Sequence, residues 1–268
     1  MASGALIVDA GAVAVAAGPV LTPVPAGAGS TFTIRNAALN SQVSLIDLWT
    51  KGAAVGRIQV SSPNLVPVAN GIRIQTPTGL ADFLLGGPPF QSLIPQDNIS
   101  VQVDGTAADV YAACMQSYYA QLPGGQMTLH MPGDILGQTE FVFGWPVAAA
   151  AAATAGAQGA TAITTTVDSS TANRWYGVLG YVVDTTVAAV GIAGVDTSQL
   201  FIGGPGDTAS NHTRNYFADL SMRSGLPCIP MFNAANKGST NVVVVDNAAN
   251  TAVNVTLILA QMQLGYTP

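Results

Sequence analysis

Several short runs along this chain alternate apolar and polar residues. Thr31-Phe32-Thr33-Ile34-Arg35 alternates strictly. Successive side chains of a strand point to opposite faces, so this alternation predicts a sheet with one face in a core. Similar runs are "QVSLIDLW", "GRIQV", "GIRIQT" and "NISVQV" in the first half. The second half has "ITTTV", "WYGVLGYVV", "QLFIGG", "NVVVVD" and "AVNVTLILAQM". Each is short, rich in β-branched or aromatic residues, and bounded by Gly, Pro, Asn or Asp. Val242 to Val245 does not alternate, which predicts a strand covered on both faces. Many short strands with frequent turns indicate an all-β sandwich or barrel.

The pattern is stated twice. "AAVGRIQVSSPNL" (Ala53 to Leu65) faces "AAVGIAGVDTSQL" (Ala188 to Leu200) at an offset of 135. "ALIVDA" from Ala5 faces "EFVFGW" from Glu140, and "ADFLLGGPPFQSLIP" from Ala81 faces "NYFADLSMRSGLPCIP" from Asn215. In that last pair Phe83 lies opposite Phe217, and Pro95 opposite Pro230. "DGTAADVYAACMQSYYAQL" from Asp104 then aligns with "DNAANTAVNVTLILAQMQL" from Asp246 at 142, which places a small insertion in "NAANKGSTN". The order of matches is the same in both halves. A period this long exceeds that of solenoid repeats and indicates two tandem domains related by internal duplication. We expect them at residues 1–130 and 131–268, joined through "PGGQMTLHMPGDILGQ". The Ala-rich stretch Pro146 to Ala160 corresponds to Ala10 to Gly29 and is expected to form loops or edge segments.

Composition strengthens the β reading. Charged residues make up 8 % of the 268 positions, against about 25 % in ordinary domains. There is one Glu, Glu140, two Lys, and thirteen Asp. Glu and Lys fill exposed helix faces, whereas Asp, Asn, Gly and Pro fill turns. Little material remains for solvent-facing helices.

Candidate chemistry is sparse. A tandem pair of barrels suggests the two-domain cupins, but their metal site needs a His-x-His pair, and this chain has only His130 and His212, far apart. His212 sits in a polar loop, "GDTASNHTRNYF", and His130 in the junction, where a surface position is as expected as any other. "GGPGD" at Gly203 lacks the Lys-Ser/Thr of a phosphate loop. The Asp residues are scattered singly, without the alternate-position spacing of a Ca²⁺ loop. No Ser stands in a Gly-x-Ser-x-Gly context. Cys114 and Cys228 occupy non-equivalent places in the repeats and are expected as buried thiols. No catalytic residue, cofactor or metal is therefore expected. Eight basic residues in a chain with net charge -6 disfavour direct, charge-driven nucleic-acid binding. "MASGALIVDAGAVAVAAG" has no basic n-region and carries Asp9, so export is not expected. The uncharged run Phe141 to Val167 is Ala-, Gly- and Thr-rich and does not suit a membrane span.

So little charge makes sense on a surface mostly buried against copies of itself, because Thr, Ser, Asn and Ala are inexpensive to desolvate and charges are not. Three copies of a two-domain chain would set six similar units around one axis. In its tandem β repeat, its length and its Gly-, Pro- and Asn-rich loops the chain resembles the double jelly-roll major capsid proteins of tailless icosahedral viruses, the PRD1/adenovirus-like lineage. That resemblance implies two eight-stranded jelly rolls, homotrimeric pseudo-hexameric capsomers that tile an icosahedral shell, and no enzymatic activity. It implies a place in the virion after synthesis in the host cytoplasm. Partners would be neighbouring capsomers, penton or minor virion proteins and, as in many members, an internal membrane. Trp49, Phe83, Trp175 and Phe217 are candidate core or inter-subunit anchors, since aromatics bury the largest areas. Pro95 and Pro230 are expected to end equivalent strands or set equivalent turns. The alternatives are another phage coat or decoration protein, and a secreted tandem β-sandwich adhesin or carbohydrate-binding protein.

Overall fold

A computed structural model describes the backbone of ten strands between residues 4 and 118. It describes backbone and side chains over 129–149, 159–163, 173–196, 203–206, 213–223, 227–245 and 252–268, with positions 208 and 225; a few element ends are described by backbone alone. The chain divides into two units, one comprising Met1–Ala2 and Leu6–Gln121, the other Ser3–Ala5 and Leu122–Pro268.

The first unit carries β1 (Gly4–Val15), β2 (Ala17–Gly18), β3 (Ser30–Arg35), β4 (Ser41–Thr50), β5 (Val55–Ser61), β6 (Ile72–Gln75), β7 (Leu80–Ala81), β8 (Phe90–Ser92), β9 (Gln96–Gly105) and β10 (Ala108–Tyr118). One sheet runs β1-β10-β4-β7, with β8 also on β4; the other runs β2-β9-β5-β6, with β3 also on β9. In the second sheet Ile58 is in register with Val103 and Ile74, and Val60 with Val101 and Ile72. The polar Gln59, Arg73 and Gln102 occupy the intervening register positions. Alternation in the sequence thus becomes one apolar and one polar face.

The second unit carries α1 (Pro132–Leu136), β11 (Thr139–Ala150), β12 (Gln158–Ala162), β13 (Trp175–Val183), β14 (Val187–Ala193), β15 (Ile202–Gly206), α2 (Tyr216–Ser224), β16 (Met231–Asn233), β17 (Asn241–Val245) and β18 (Ala252–Met262). Its sheets run β11-β18-β13-β16 and β12-β17-β14-β15. By position along the unit, these orders are first-eighth-third-sixth and second-seventh-fourth-fifth. The first unit has the same orders once β2 and β3 share the second position and β7 and β8 the sixth. The sequence echoes fall on matching strands: β1 with β11, β5 with β14, and β10 with β18. Among the described strand pairings all are antiparallel except the short β2–β9 contact.

Strands thus dominate, and the protein is all-β with few helices. Val242, Val243, Val244 and Val245 are all buried, as the unbroken apolar run predicted, and β14 beside them is buried along nearly its whole length. β18 keeps the alternating pattern, with Val253, Val255, Leu257 and Leu259 buried and Asn254 exposed. Among the described residues Tyr176, Tyr181, Phe217 and Phe232 are the largest fully buried side chains. Tyr181 ties the two sheets together: its hydroxyl donates to the Pro205 carbonyl across the core at 2.9 Å.

The helices were not anticipated from the sequence. α2 has a buried face of Tyr216, Phe217, Leu220 and Ser221, spaced as helical geometry requires. Gly225 ends it in the left-handed conformation (φ 67°), which costs a residue without Cβ little. Asp219 in its first turn and Arg223 in its last suit the helix dipole. α2 packs against β13 beyond the three residues that β16 pairs. At its entry Thr213 is fully buried, and its hydroxyl has no hydrogen-bond partner among the described residues. Leaving a buried hydroxyl unsatisfied is unfavourable, so the shape-matched Thr213→Val should raise stability by about 1 kcal/mol. Urea denaturation checks this; an unchanged or lower midpoint would refute it.

Candidate assembly edge

The geometry of the second unit directs attention to β11. It is the terminal strand of its sheet and pairs on one side with β18, from Thr139 opposite Met262 to Ala150 opposite Ala252. Its other side has no strand partner among the described residues. Phe141, Phe143, Trp145, Val147 and Ala149 share the face of Leu257 and Leu259, the core face. Val147 and Ala149 are buried, Phe143 and Trp145 half-buried, and Phe141 is 49 % exposed. Cover over the core thus thins toward the start of the strand. Phe143 is the pivot of an aromatic chain, with ring centroids 5.7 Å from Phe141, 6.2 Å from Trp145 and 6.2 Å from Tyr176. Tyr176 in turn stacks on Phe232 at 5.5 Å. The opposite face of β11 is open: Val142 is 53 % exposed, and Gly144, Pro146 and Ala148 are exposed.

More apolar surface lies at the same end. Gln263 donates its amide to the Gln138 carbonyl at 2.7 Å, which joins the C-terminal turn to the start of β11. Leu264 and Leu136, next to that join, are both largely exposed. Sequence reasoning missed this patch, because alternation does not say which strand lies at the edge of a sheet.

The one glutamate of the chain sits at this end too. Glu140 pairs with Arg174 and accepts from the Gln261 side chain at 3.1 Å. A register shift between Thr139 and Phe141 marks the irregularity that carries it. With its carboxylate committed to Arg174, Glu140 adds little repulsion to the edge.

His130, taken as readily for a surface residue, is instead buried and bridges to Ile229 through two backbone hydrogen bonds of 3.0 Å. Burial pushes its imidazole below the ordinary value of 6.5, and the Asp134 carboxylate partly opposes the shift. The unfolded chain therefore binds this proton at higher pH than the folded one. The stability contribution is complete above 6.5 and is lost as pH falls through the lowered folded value. Urea midpoints between about pH 8 and about pH 5 should drop for the wild type and drop less for His130→Asn. Equal slopes would exclude His130 as the cause. His212 lies outside the described residues.

The six residues singled out from the sequence are not brought together as one site. Phe217 is fully buried in α2, against Tyr181 at 6.0 Å and Tyr216 at 5.3 Å. Trp175 opens β13, half-buried, with its backbone opposite Asn233. Pro230 is buried just before β16, where its carbonyl accepts from the Val178 amide at 2.8 Å. Trp49 lies on β4 in register with Tyr111 and Leu80. Phe83 and Pro95 lie outside the described residues. Cys228 is a buried thiol. Among the described residues no group of three or more His, Cys, Asp or Glu is placed to hold a metal, and no helix is long and apolar enough to cross a membrane.

No family model and no curated protein matches the sequence. Among solved structures the chain is similar to PNGase F, a glycosylasparaginase from Flavobacterium meningosepticum, at 11 % identity and a TM-score of 0.26 over 97 % of this chain and 96 % of that one. It is also similar to the major capsid protein P2 from bacteriophage PM2, at 10 % identity and a TM-score of 0.21 over 98 % of this chain and 100 % of that one.

Proposed function

We propose that the chain is a major capsid protein built of two jelly rolls, and that three copies form a pseudo-hexameric capsomer of an icosahedral shell. The observation that carries this reading is the shared strand order. Both units order their strands first-eighth-third-sixth and second-seventh-fourth-fifth, which is how eight strands wind into two facing sheets through paired Greek keys. Sequence echoes on corresponding strands support internal duplication, and duplication provides six like units from three chains. A chain with only 8 % charged residues supports extensive self-contact.

On this reading the protein has no catalytic role and no cofactor. Its partners are its own copies and other virion proteins, and it works in the virion after synthesis in the host cytoplasm. Charge-driven genome binding is not part of the reading, given a net charge of -6. Light scattering on the purified chain is the test. A mass near three times 27.1 kDa supports the capsid tile, whereas a stable monomer would favour a decoration protein or a binding module.

A further inference from the structure

Two features interrupt β11 and leave one short run between them. The register shift between Thr139 and Phe141 breaks the regular ladder at its start, and Pro146, which has no amide hydrogen to donate, breaks the edge further on. Bulges, prolines and charges are the devices by which sheet edges avoid further pairing. Between them stands Phe141-Val142-Phe143-Gly144-Trp145, with no charge, no proline, three aromatics and a valine. Strong β-formers without charge, on an edge with exposed Phe141 and Val142, recruit another strand when left uncovered.

We propose that this five-residue run pairs, through main-chain hydrogen bonds, with an extended strand from a second copy of the chain. The inference rests on the assembly reading above and assigns the edge that makes the contact. The chemistry of the edge defines what fits. On the side away from β18 no described strand pairs with it, so its peptide groups can take an extended backbone, and its uncharged side chains, with Glu140 already held by Arg174 and Gln261, favour an uncharged partner strand. The chain is itself rich in uncharged, β-prone segments. A closed ring of identical copies, moreover, requires each copy to present the same edge to its neighbour. Val142, on the open face, would lie at the rim of the joint, so a lysine there would hinder pairing without entering the core.

Hydrogen exchange resolved over residues 141–145, compared between the assembled peak and dissociated protein, tests the proposal together with the mass of Val142→Lys. Expected are slowed exchange at the amides facing away from β18 on assembly, and association weakened about tenfold in Val142→Lys with an unchanged melting transition. A wild-type oligomer whose 141–145 amides exchange as fast as in the dissociated chain overturns this inference and leaves the capsid reading standing. A wild type that is monomeric throughout overturns both. Should Val142→Lys fail to fold, the wild-type exchange pattern alone decides.

Discussion

Gly180→Ala is expected to destabilise the second unit by about 3 kcal/mol, a loss large enough to leave much of the chain unfolded. Gly180 stands in β13 at a register shift in its pairing with β18. A Cβ there would lie 2.4 Å from the Thr213 carbonyl oxygen and 2.5 Å from that of Arg214. Both are backbone atoms on the segment that leads into α2, so no rotamer change relieves the clash. The helix entry itself would have to move, and with it the packing of Phe217 against Tyr181. Gly177, three residues away on the same strand, is the control. A Cβ at Gly177 would meet Ile135 at 3.4 Å and Ile229 at 3.6 Å, ordinary van der Waals contact. Gly177→Ala should therefore stay within about 1 kcal/mol of wild type, aided by reduced freedom of the unfolded chain. Urea denaturation of the two variants side by side is the measurement. Equal stabilities would mean that α2 does not approach β13 as described.

Phe217→Ala is the second large effect, with an expected loss of about 3 to 5 kcal/mol. The ring is fully buried where α2 meets the sheet, and its neighbours Tyr181 and Tyr216 are held from both sides. The Tyr181 hydroxyl is fixed on Pro205, and Tyr216 lies against Gly204, where a Cβ would come within 2.2 Å of its ring. Neither ring is free to collapse into the space that Phe217 leaves. Phe217→Leu, which fills most of the volume, should lose less than half as much. Midpoints from thermal and urea unfolding check the series; an alanine variant within about 1 kcal/mol of wild type would show that the site relaxes after all.

What could be read in advance follows from where the signal is local. Strand identity is local: β3, β5 and β6 form where the sequence alternates, and the unbroken Val242 to Val245 run predicts the burial found for all four valines. The repeat was legible because three of its four echoes fall on matching strands, where packing on a core constrains residue type, while the echo from Asn215 runs into α2. α2 was missed although its cues were present. Tyr216, Phe217, Leu220 and Ser221 recur at helical spacing before Gly225, but a chain with so little Glu and Lys argued against any helix. Phe217 was chosen as a large apolar anchor, and its depth follows from that size. His130 was underrated because its burial depends on the distant Ile229 that covers it, a partner no local pattern identifies. The β11 edge was out of reach for the same reason. "EFVFGW" stands out in the sequence only as an echo of "ALIVDA", and whether it lies inside a sheet or at its margin is decided by strand order.

On the capsid reading each chain provides two like units and three chains close into one block. Negative-stain class averages of the main chromatographic peak test it most directly. Expected is a threefold particle with six lobes of similar size around the axis, two from each chain. Single two-lobed particles, or rings whose lobe count is not six, would contradict it.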